Sequence, residues 1–425
     1  MENIQELREI VNPVFNTAKS CVQLDAISGD PESQQLLAIL GIDELERDSA
    51  RKPVPPELAE QVKKLFPVYT IYTESRFQIV NRLIEAYPGR TVVDLPCGYT
   101  ARGIKMSRQG RTYYGYDLPA VIDVIGPAAA QVYGEDNRIH YASVDATNYD
   151  SLEEPIKNES GELLITTEGL LMYFTQSELE EVFSNIRRLL QKHGGSWILV
   201  DRAYFTHDLD IASAIFDNEQ KMITLYANIT KQAAGTVADV KFHDNVIFKG
   251  EDEEIHAFIR EMGFDIREIP MDSYLPDQLG GFKSVPQAEA GVRKVFGDMY
   301  FWELTAREGS EEAPAEKAEP EDLPFAVDSE FKDGTLFVRI QGRMDTITAP
   351  ELLKKFQETS GKADRIEMDV KKMSYVSSAG LRVLLMMYKS LEDKSRFKMT
   401  GISEGVREIL ETTGFDQFLF DGGQS

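Results

Sequence analysis

The sequence predicts an α/β protein in two units: a doubly wound, mostly parallel sheet within residues 1–306, and a smaller open sheet with helices within 325–425. Three observations predict it. Five short β-type runs between Thr91 and Arg202 are each followed by a turn or helix signal. The same strand–helix alternation restarts at Thr335. Between them, from Arg307 to Pro324, the chain turns acidic and loses almost every large apolar residue.

Taken in order, the residues up to about Tyr87 have helical spacing. Then "TVVDLP" (91–96), "TYYGYDL" (112–118), "IHYASVDA" (139–146), "ELLITTEGLL" (162–171) and "SWILVDR" (196–202) read as strands entering turns. They are rich in Val, Ile, Leu, Tyr and Thr, which suit a pleated, packed surface. The span of about 201–291 breaks this rhythm and is expected to form a cap over an acceptor pocket. Residues 307–324 are expected to be an extended, flexible acidic linker. Between Glu308 and Asp322 seven acids stand against one lysine, so no core can form and the charges repel. In the last part "TLFVRIQG" (335–342), "RIEMDV" (365–370) and "RFKMTGI" (396–402) read as strands. "APELLKKFQETS" (349–360), "SAGLRVLLMMYKSLEDK" (378–394) and "EGVREILETTG" (404–414) read as helices, Pro350 suiting a first turn and Gly414 a helix end.

Bulk properties narrow the function. A length of 425 residues favours more than one domain. A net charge of −25 disfavours nucleic acid and anionic membranes, which need a clustered basic face. No apolar run reaches membrane-spanning length, and the acidic N-terminus lacks the basic start of a signal peptide, so a cytoplasmic protein is expected. Two cysteines, Cys21 and Cys97, and five scattered histidines imply neither a disulfide framework nor a metal site.

In "TVVDLPCGYTARG" a strand runs through Gly98 into a helical segment, where a ligand can approach backbone N–H groups. Alone this is also the pattern of any βα turn. Asp117 follows about twenty residues later at the end of the next strand, an offset suited to ribose hydroxyls. Asp145 ends the third strand, and "TTEGLLMYF" ends the fourth. Acids at the carboxyl ends of successive parallel strands meet in one crevice, which points to an adenosine-type cofactor.

The stretches "YTESRFQIV", "VVDLPCGYT", "YDLP", "SVDA" and above all "TEGLLMYF" resemble the leucine carboxyl methyltransferase family, which includes polyketide carboxyl O-methyltransferases. The resemblance spans about residues 60–306. It implies a class I methyltransferase (Rossmann-like) fold, S-adenosylmethionine as cofactor, and transfer of methyl to a small-molecule or peptide carboxylate. It further implies roles for single residues. Arg76 holds the methionine carboxylate, Gly98 forms the cofactor turn, and Asp117 takes the ribose. Asp145 and Ala146 flank the adenine, Glu168 meets the methionine ammonium, and Tyr173 lines the cleft near the methyl as the catalytic-site residue. Read without the family, Arg76 is a surface helix arginine and Tyr173 a core aromatic. The family turn Leu-Gly-Ala-Gly-x-Asp-Thr is here Leu95-Pro96-Cys97-Gly98-Tyr99-Thr100, with Pro96 for a glycine and Thr100 for an acid. A carboxylate acceptor is ionised at neutral pH and needs no general base, in keeping with the lack of a histidine in these motifs. The alternative is a non-catalytic S-adenosylmethionine sensor.

"YVSSAGLRVLLMMYKSL" places Ser377 and Ser378 where a helix starts, as N-cap candidates. A phosphate there is tolerated by the helix dipole and alters a docking surface. "GTLFVRIQGRMDTITAPELLKKF", "RIEMDVKKMSYVSSAGLRVLLMMYKSL" and "FKMTGISEGVREILETTGFDQFLF" resemble a STAS domain of the anti-sigma factor antagonist type, over about 325–421. The resemblance implies a bacterial partner-switching role with an anti-sigma factor that is also a serine kinase. The family's phosphoserine falls on Ser378, with Ser377 in place of an aspartate and so a second candidate. Asp345, in the "GRMDT" turn, borders the docking surface in that family; otherwise it is a plain turn aspartate.

Overall fold

The structure is a computed structural model and describes residues 15–41, 56–236, 245–307, 323–358, 363–412 and 415. Their contacts divide into two compact units, one within Val14–Ala313 and one within Pro314–Ser425. Apart from its ends, the segment 307–324 read as a linker lies outside the described residues.

In the larger unit α1 (Phe15–Ser28), α2 (Pro31–Leu40) and the long α3 (Pro56–Glu85) precede the sheet. There follow β1 (Thr91–Asp94), α4 (Arg102–Arg108), β2 (Tyr113–Asp117), α5 (Pro119–Tyr133), β3 (Ile139–Ser143), α6 (Tyr149–Glu153), β4 (Leu163–Thr167), α7 (Gln176–His193) and β5 (Gly195–Leu199). After β5 the chain forms α8 (Asp201–Ile215), α9 (Gln220–Thr236), α10 (Val246–Lys249), α11 (Asp252–Glu261), β6 (Phe264–Pro270), α12 (Glu289–Gly297) and β7 (Tyr300–Ala306).

The seven strands lie in the order β3-β2-β1-β4-β5-β7-β6. Strands β1 to β5 pair in parallel, while β7 runs antiparallel to both β5 and β6. Parallel strands need helical crossovers, which cover both faces. Successive side chains therefore enter opposite cores. Val92, Leu164 and Ile198 join one core; Val93, Leu163, Ile165, Trp197 and Leu199 join the other. Because β7 is reversed, Ala306 pairs opposite Phe264 and Leu304 opposite Trp197. The chain thus leaves the sheet at the edge where the parallel strands begin, opposite their carboxyl ends.

The span of about 201–291 holds more than a covering element. It contains β6, an integral strand, and α11, whose Ile255 and Ile259 are buried in the same core as Phe264. As an edge strand, β6 alternates a few buried residues with exposed charges: Phe264 and Ile269 are buried, Asp265 and Glu268 exposed. In the same span Tyr204, Ile211 and Ile215 of α8 and Met222 and Tyr226 of α9 are buried in the core that holds Val92 and Ile198, and Ile247 of α10 in the one that holds Phe264.

In the smaller unit β8 (Ala326–Lys332), β9 (Thr335–Met344), β10 (Arg365–Val376) and β11 (Phe397–Thr400) form a sheet of order β11-β10-β9-β8. β8 and β9 are an antiparallel hairpin; β9, β10 and β11 are parallel. The helices are α13 (Ala349–Gln357), α14 (Ser378–Ser390) and α15 (Glu404–Thr412). Leu352, Leu353, Leu384, Met387, Val406 and Leu410 from these helices pack with Val338, Ile340, Met368 and Val370 from the sheet in a core of their own. Among the described residues no helix is long and apolar enough to cross a membrane.

Candidate functional site

β1 delivers Asp94 to the carboxyl edge of the larger sheet and leads into the turn 95–101. Gly98 has φ +52°, in the left-handed region where a side chain is disfavoured. Its N–H donates to Asp117 Oδ2 (2.7 Å), and the Leu118 N–H donates to Oδ1 (2.7 Å). The Asp117 carbonyl accepts from Val144 N–H (3.0 Å), tying the ends of β2 and β3 together beside Asp145. Burial pushes the Asp117 carboxyl up to about 7, with the two backbone N–H groups opposing. Asp145 is buried, and its Oδ1 accepts from the Thr147 N–H (2.8 Å) and hydroxyl (2.6 Å). The Ala146 carbonyl accepts from Asn185 Nδ2 (3.1 Å), anchoring this loop to α7.

Glu168 follows β4 and receives two arginines. Arg76, from α3, donates through Nε to Oε1 (2.6 Å), and Arg102, the first residue of α4, donates through Nη2 to Oε2 (2.9 Å). Burial alone would raise the Glu168 carboxyl; Arg76 and Arg102 outweigh it and hold it below the ordinary range. Arg102 also donates to Asp94 Oδ1 (2.7 Å) and to Asn81 Oδ1 (2.9 Å). It is 1% exposed, so its charge stays in place only through these partners. Burial raises the Asp94 carboxyl, with Arg102 opposing.

Asp201, at the head of α8, accepts from the Gly169 N–H and from Leu171 N–H (3.4 Å), fixing the turn after β4. Gly169 has φ +77°, which a non-glycine residue would resist. Asn245 donates through Nδ2 to the carbonyls of Leu171 and Phe174 (2.9 Å each). Tyr173, half-buried, lies between these anchors in the 3₁₀ turn Leu171–Tyr173. Nearby Tyr72 stands under the Arg76 guanidinium (5.6 Å) and against Tyr204 (4.6 Å between rings), whose hydroxyl meets Ser75 Oγ at 3.1 Å.

The N-terminal helices close over this edge. Lys105 of α4 donates to Asp30 (2.6 Å) and Glu32 (2.9 Å) at the start of α2. Cys21 of α1 sits 3.9 Å from Arg76 Nη2, its thiol pushed up to about 11 by burial.

Of the residues singled out from sequence, Arg76 and Glu168 are bonded to each other, as are Gly98 and Asp117, with Asp145 and Ala146 beside that pair. Sequence reasoning passed over Asp94, Arg102 and Asp201. Each stood inside a quoted motif, but a sequence gives a charge without its burial. Among the described residues no group of three or more His, Cys, Asp or Glu could hold a metal ion.

In the smaller unit Ser377 is buried and is the N-cap of α14. Its Oγ accepts from Gly380 N–H (3.4 Å), and its own N–H donates to the Met344 carbonyl (3.0 Å). Ser378 is the first helical residue and is half-buried. A Cβ on Gly380 would come within 2.6 Å of the Met344 carbonyl oxygen, so the helix start lies flush against the end of β9. Asp345 is buried and engaged in its own turn: Oδ1 accepts from Ile347 N–H (3.0 Å), Thr348 N–H (3.1 Å) and the Thr348 hydroxyl (3.0 Å).

The smaller unit is thus a compact open-faced α/β module whose central helix starts on two serines of unequal exposure. Residues 326–422 match the family described as STAS domain. A protein named as an anti-sigma factor antagonist, BtrV of Bordetella bronchiseptica, is 32% identical over 85 residues, which are 20% of this chain and 73% of that protein. The chain belongs to the STAS domain family. A crystal structure of an anti-sigma factor antagonist from Mycobacterium paratuberculosis aligns over 24% of this chain and 86% of its own, at 22% identity and a TM-score of 0.22. The larger unit aligns with the magnesium protoporphyrin IX methyltransferase of Synechocystis PCC 6803 with bound SAH, over 60% of this chain and 90% of that one, at 13% identity and a TM-score of 0.32. An O-methyltransferase family protein of Burkholderia thailandensis aligns over 66% of this chain and 69% of its own, at 15% identity and a TM-score of 0.32. Likeness at this level carries no inference about chemistry.

Proposed function

We propose that the larger unit binds S-adenosylmethionine along the carboxyl edge of its sheet and transfers the methyl group to a carboxylate acceptor. The observation that carries this reading is the run of linked groups across four strand ends: Asp94 and Gly98 after β1, Asp117 after β2, Asp145 after β3 and Glu168 after β4. The donor set suits the cofactor. A glycine turn admits close approach, Asp117 offers a carboxylate for ribose hydroxyls, and the Arg76 fork lies at the other end for an amino-acid carboxylate.

When bound, the cofactor supplies an electrophilic methyl on a sulfonium. The task of the chain is then placement rather than proton transfer. A carboxylate acceptor already carries its attacking electron pair, so the chain would only have to align it with the methyl, whose transfer to oxygen would release a neutral thioether. Tyr173, half-buried in the turn after β4, is the residue proposed to face the acceptor and set its orientation. Glu168, with its charge balanced by Arg76 and Arg102, keeps the arginine fork in position.

Incubating the purified full chain with methyl-labelled cofactor and a panel of small and peptide acids tests this. Alkali-labile label in an acid supports the carboxyl reading. Cofactor binding without transfer to any acceptor assigns a sensing role instead, a reading favoured by Pro96 in the turn. No binding at all refutes both.

For the STAS unit the proposed role is binding of an anti-sigma factor with serine kinase activity, controlled by phosphorylation of Ser378. Ser377 is buried and occupied as a cap, whereas Ser378 is half-exposed at the helix start. Added phosphate there sits at the positive end of the helix dipole. The expected phosphorylation loss in Ser378→Ala, with Ser377→Ala still modified, is read by phosphopeptide mass spectrometry.

A further inference from the structure

Asp25 lies in α1 and is 1% exposed, yet among the described residues neither of its carboxylate oxygens has a hydrogen-bond partner. Only its backbone is engaged: the carbonyl accepts from Ser28 Oγ (2.7 Å) and Asp30 N–H (3.1 Å). A buried carboxylate left bare costs free energy that folding alone has no reason to accept. Its position removes the ambiguity. Asp25 is one helical turn beyond Cys21, whose sulfur touches Arg76. Asp25 therefore shares with Cys21 the α1 face that meets Arg76, the partner of Glu168.

Charge counting makes the vacancy specific. Arg76 and Arg102 bring two positive charges, and Glu168 and Asp94 bring two negative ones, each carboxylate held at 2.9 Å or less. That cluster is neutral within itself. Glu168, to which the family resemblance gives the ammonium, therefore has both oxygens on arginines. Asp25 is the carboxyl group beside that cluster whose oxygens have no partner among the described residues, and burial, then Glu168 and Asp30, push it well above the usual carboxylate range.

We propose that Asp25 is a ligand-binding residue whose carboxylate takes a primary ammonium group, that of the amino-acid end of the cofactor. This rests on the reading of the larger unit as an S-adenosylmethionine site. An ammonium at Asp25 supplies the missing donors and draws the carboxyl, pushed up by burial, to its ionised form. The carboxylate of the same amino acid is left to Arg76. The N-terminal helix α1 then acts as a recognition element for an amino acid rather than as a passive cover.

The test is a cycle of two proteins and two ligands, by calorimetry on the full chain. The proteins are wild type and Asp25→Asn, with Asp25→Ala as a second variant should the amide not fold. The ligands are S-adenosylhomocysteine and its deaminated analogue. Asp25→Asn is expected to weaken S-adenosylhomocysteine by about tenfold or more and to leave the analogue unchanged. Because no protein contact is lost, the ligand-free melting temperature stays the same or rises. Equal weakening of both ligands with a lower ligand-free melting temperature would make Asp25 a residue of the fold and overturn the proposal. Unchanged affinity for both would overturn it equally. Failure of wild type to bind S-adenosylhomocysteine sinks the cofactor reading itself, a result distinguishable from either.

Discussion

Arg102 joins the stability of the larger unit to its site. It is buried on Asp94, Asn81 and Glu168 and lies over the Phe77 ring at 5.3 Å. Removing it leaves two buried carboxylates with fewer partners. Arg102→Ala is therefore expected to cost about 3–5 kcal/mol in urea unfolding, the range for breaking one side of a buried ion pair. Arg102→Lys recovers little of it, because an ammonium cannot reproduce the three-way fork. Asp117 makes a different prediction. Its carboxyl is raised to about 7 by burial, so it is protonated below that pH in the ligand-free protein. Ribose hydroxyls donate best to the ionised form. Affinity for S-adenosylhomocysteine should hold above pH 7 and weaken as pH falls through it, and Asp117→Asn should flatten that part of the profile. For stability the sign is reversed: an acid with a raised pKa takes up its proton earlier in the folded state than in the unfolded chain. This group alone favours folding more as pH falls from about 7 to about 4. These charges were visible in the sequence as letters; their pairing was not. Asp117 could be picked out because it ends a strand, and Gly98 and Glu168 because each lies in the turn that follows one. Arg102 and Asp25 could not, because a charged residue inside a helix reads as solvated until its neighbours are known.

At the scale of elements, β1, β2, β4 and β5 were legible because central parallel strands are apolar on both faces, and the edge strand β3 because β-type residues run into a turn. β6 was not, since an edge strand carrying Asp265, Arg267 and Glu268 looks like loop or cap, and its partner β7 is distant in the chain. Within the STAS unit the helix start at 377–378 was legible as a cap, yet which serine did the capping was not. Burial divides them. Ser377→Ala should destabilise the unit by about 1 kcal/mol, the usual worth of an N-cap, whereas Ser378→Ala should change its melting by much less. Gly380→Ala should be worse than either, because the new methyl meets the Met344 carbonyl oxygen and Val376 Cγ2 at 2.6 and 2.9 Å. Thermal unfolding followed by circular dichroism ranks the three.

For the whole molecule, two compact units, each with its own apolar packing, imply two cooperative transitions. A ligand of the larger unit stabilises only the unit it binds. S-adenosylhomocysteine at one hundred times its dissociation constant should add about 2.7 kcal/mol to that transition and leave the STAS transition in place. Scanning calorimetry with and without ligand reads this directly, and a shift of both peaks together would contradict independent cores. The reversed direction of β7 has a practical consequence of its own. Ala306, the last residue of β7, lies on the rim of the sheet remote from the strand ends that carry Asp94, Asp117 and Asp145. A fluorescent tag joined at that rim is expected to leave the affinity of the larger unit for S-adenosylhomocysteine unchanged, read by calorimetry on tagged and untagged chains.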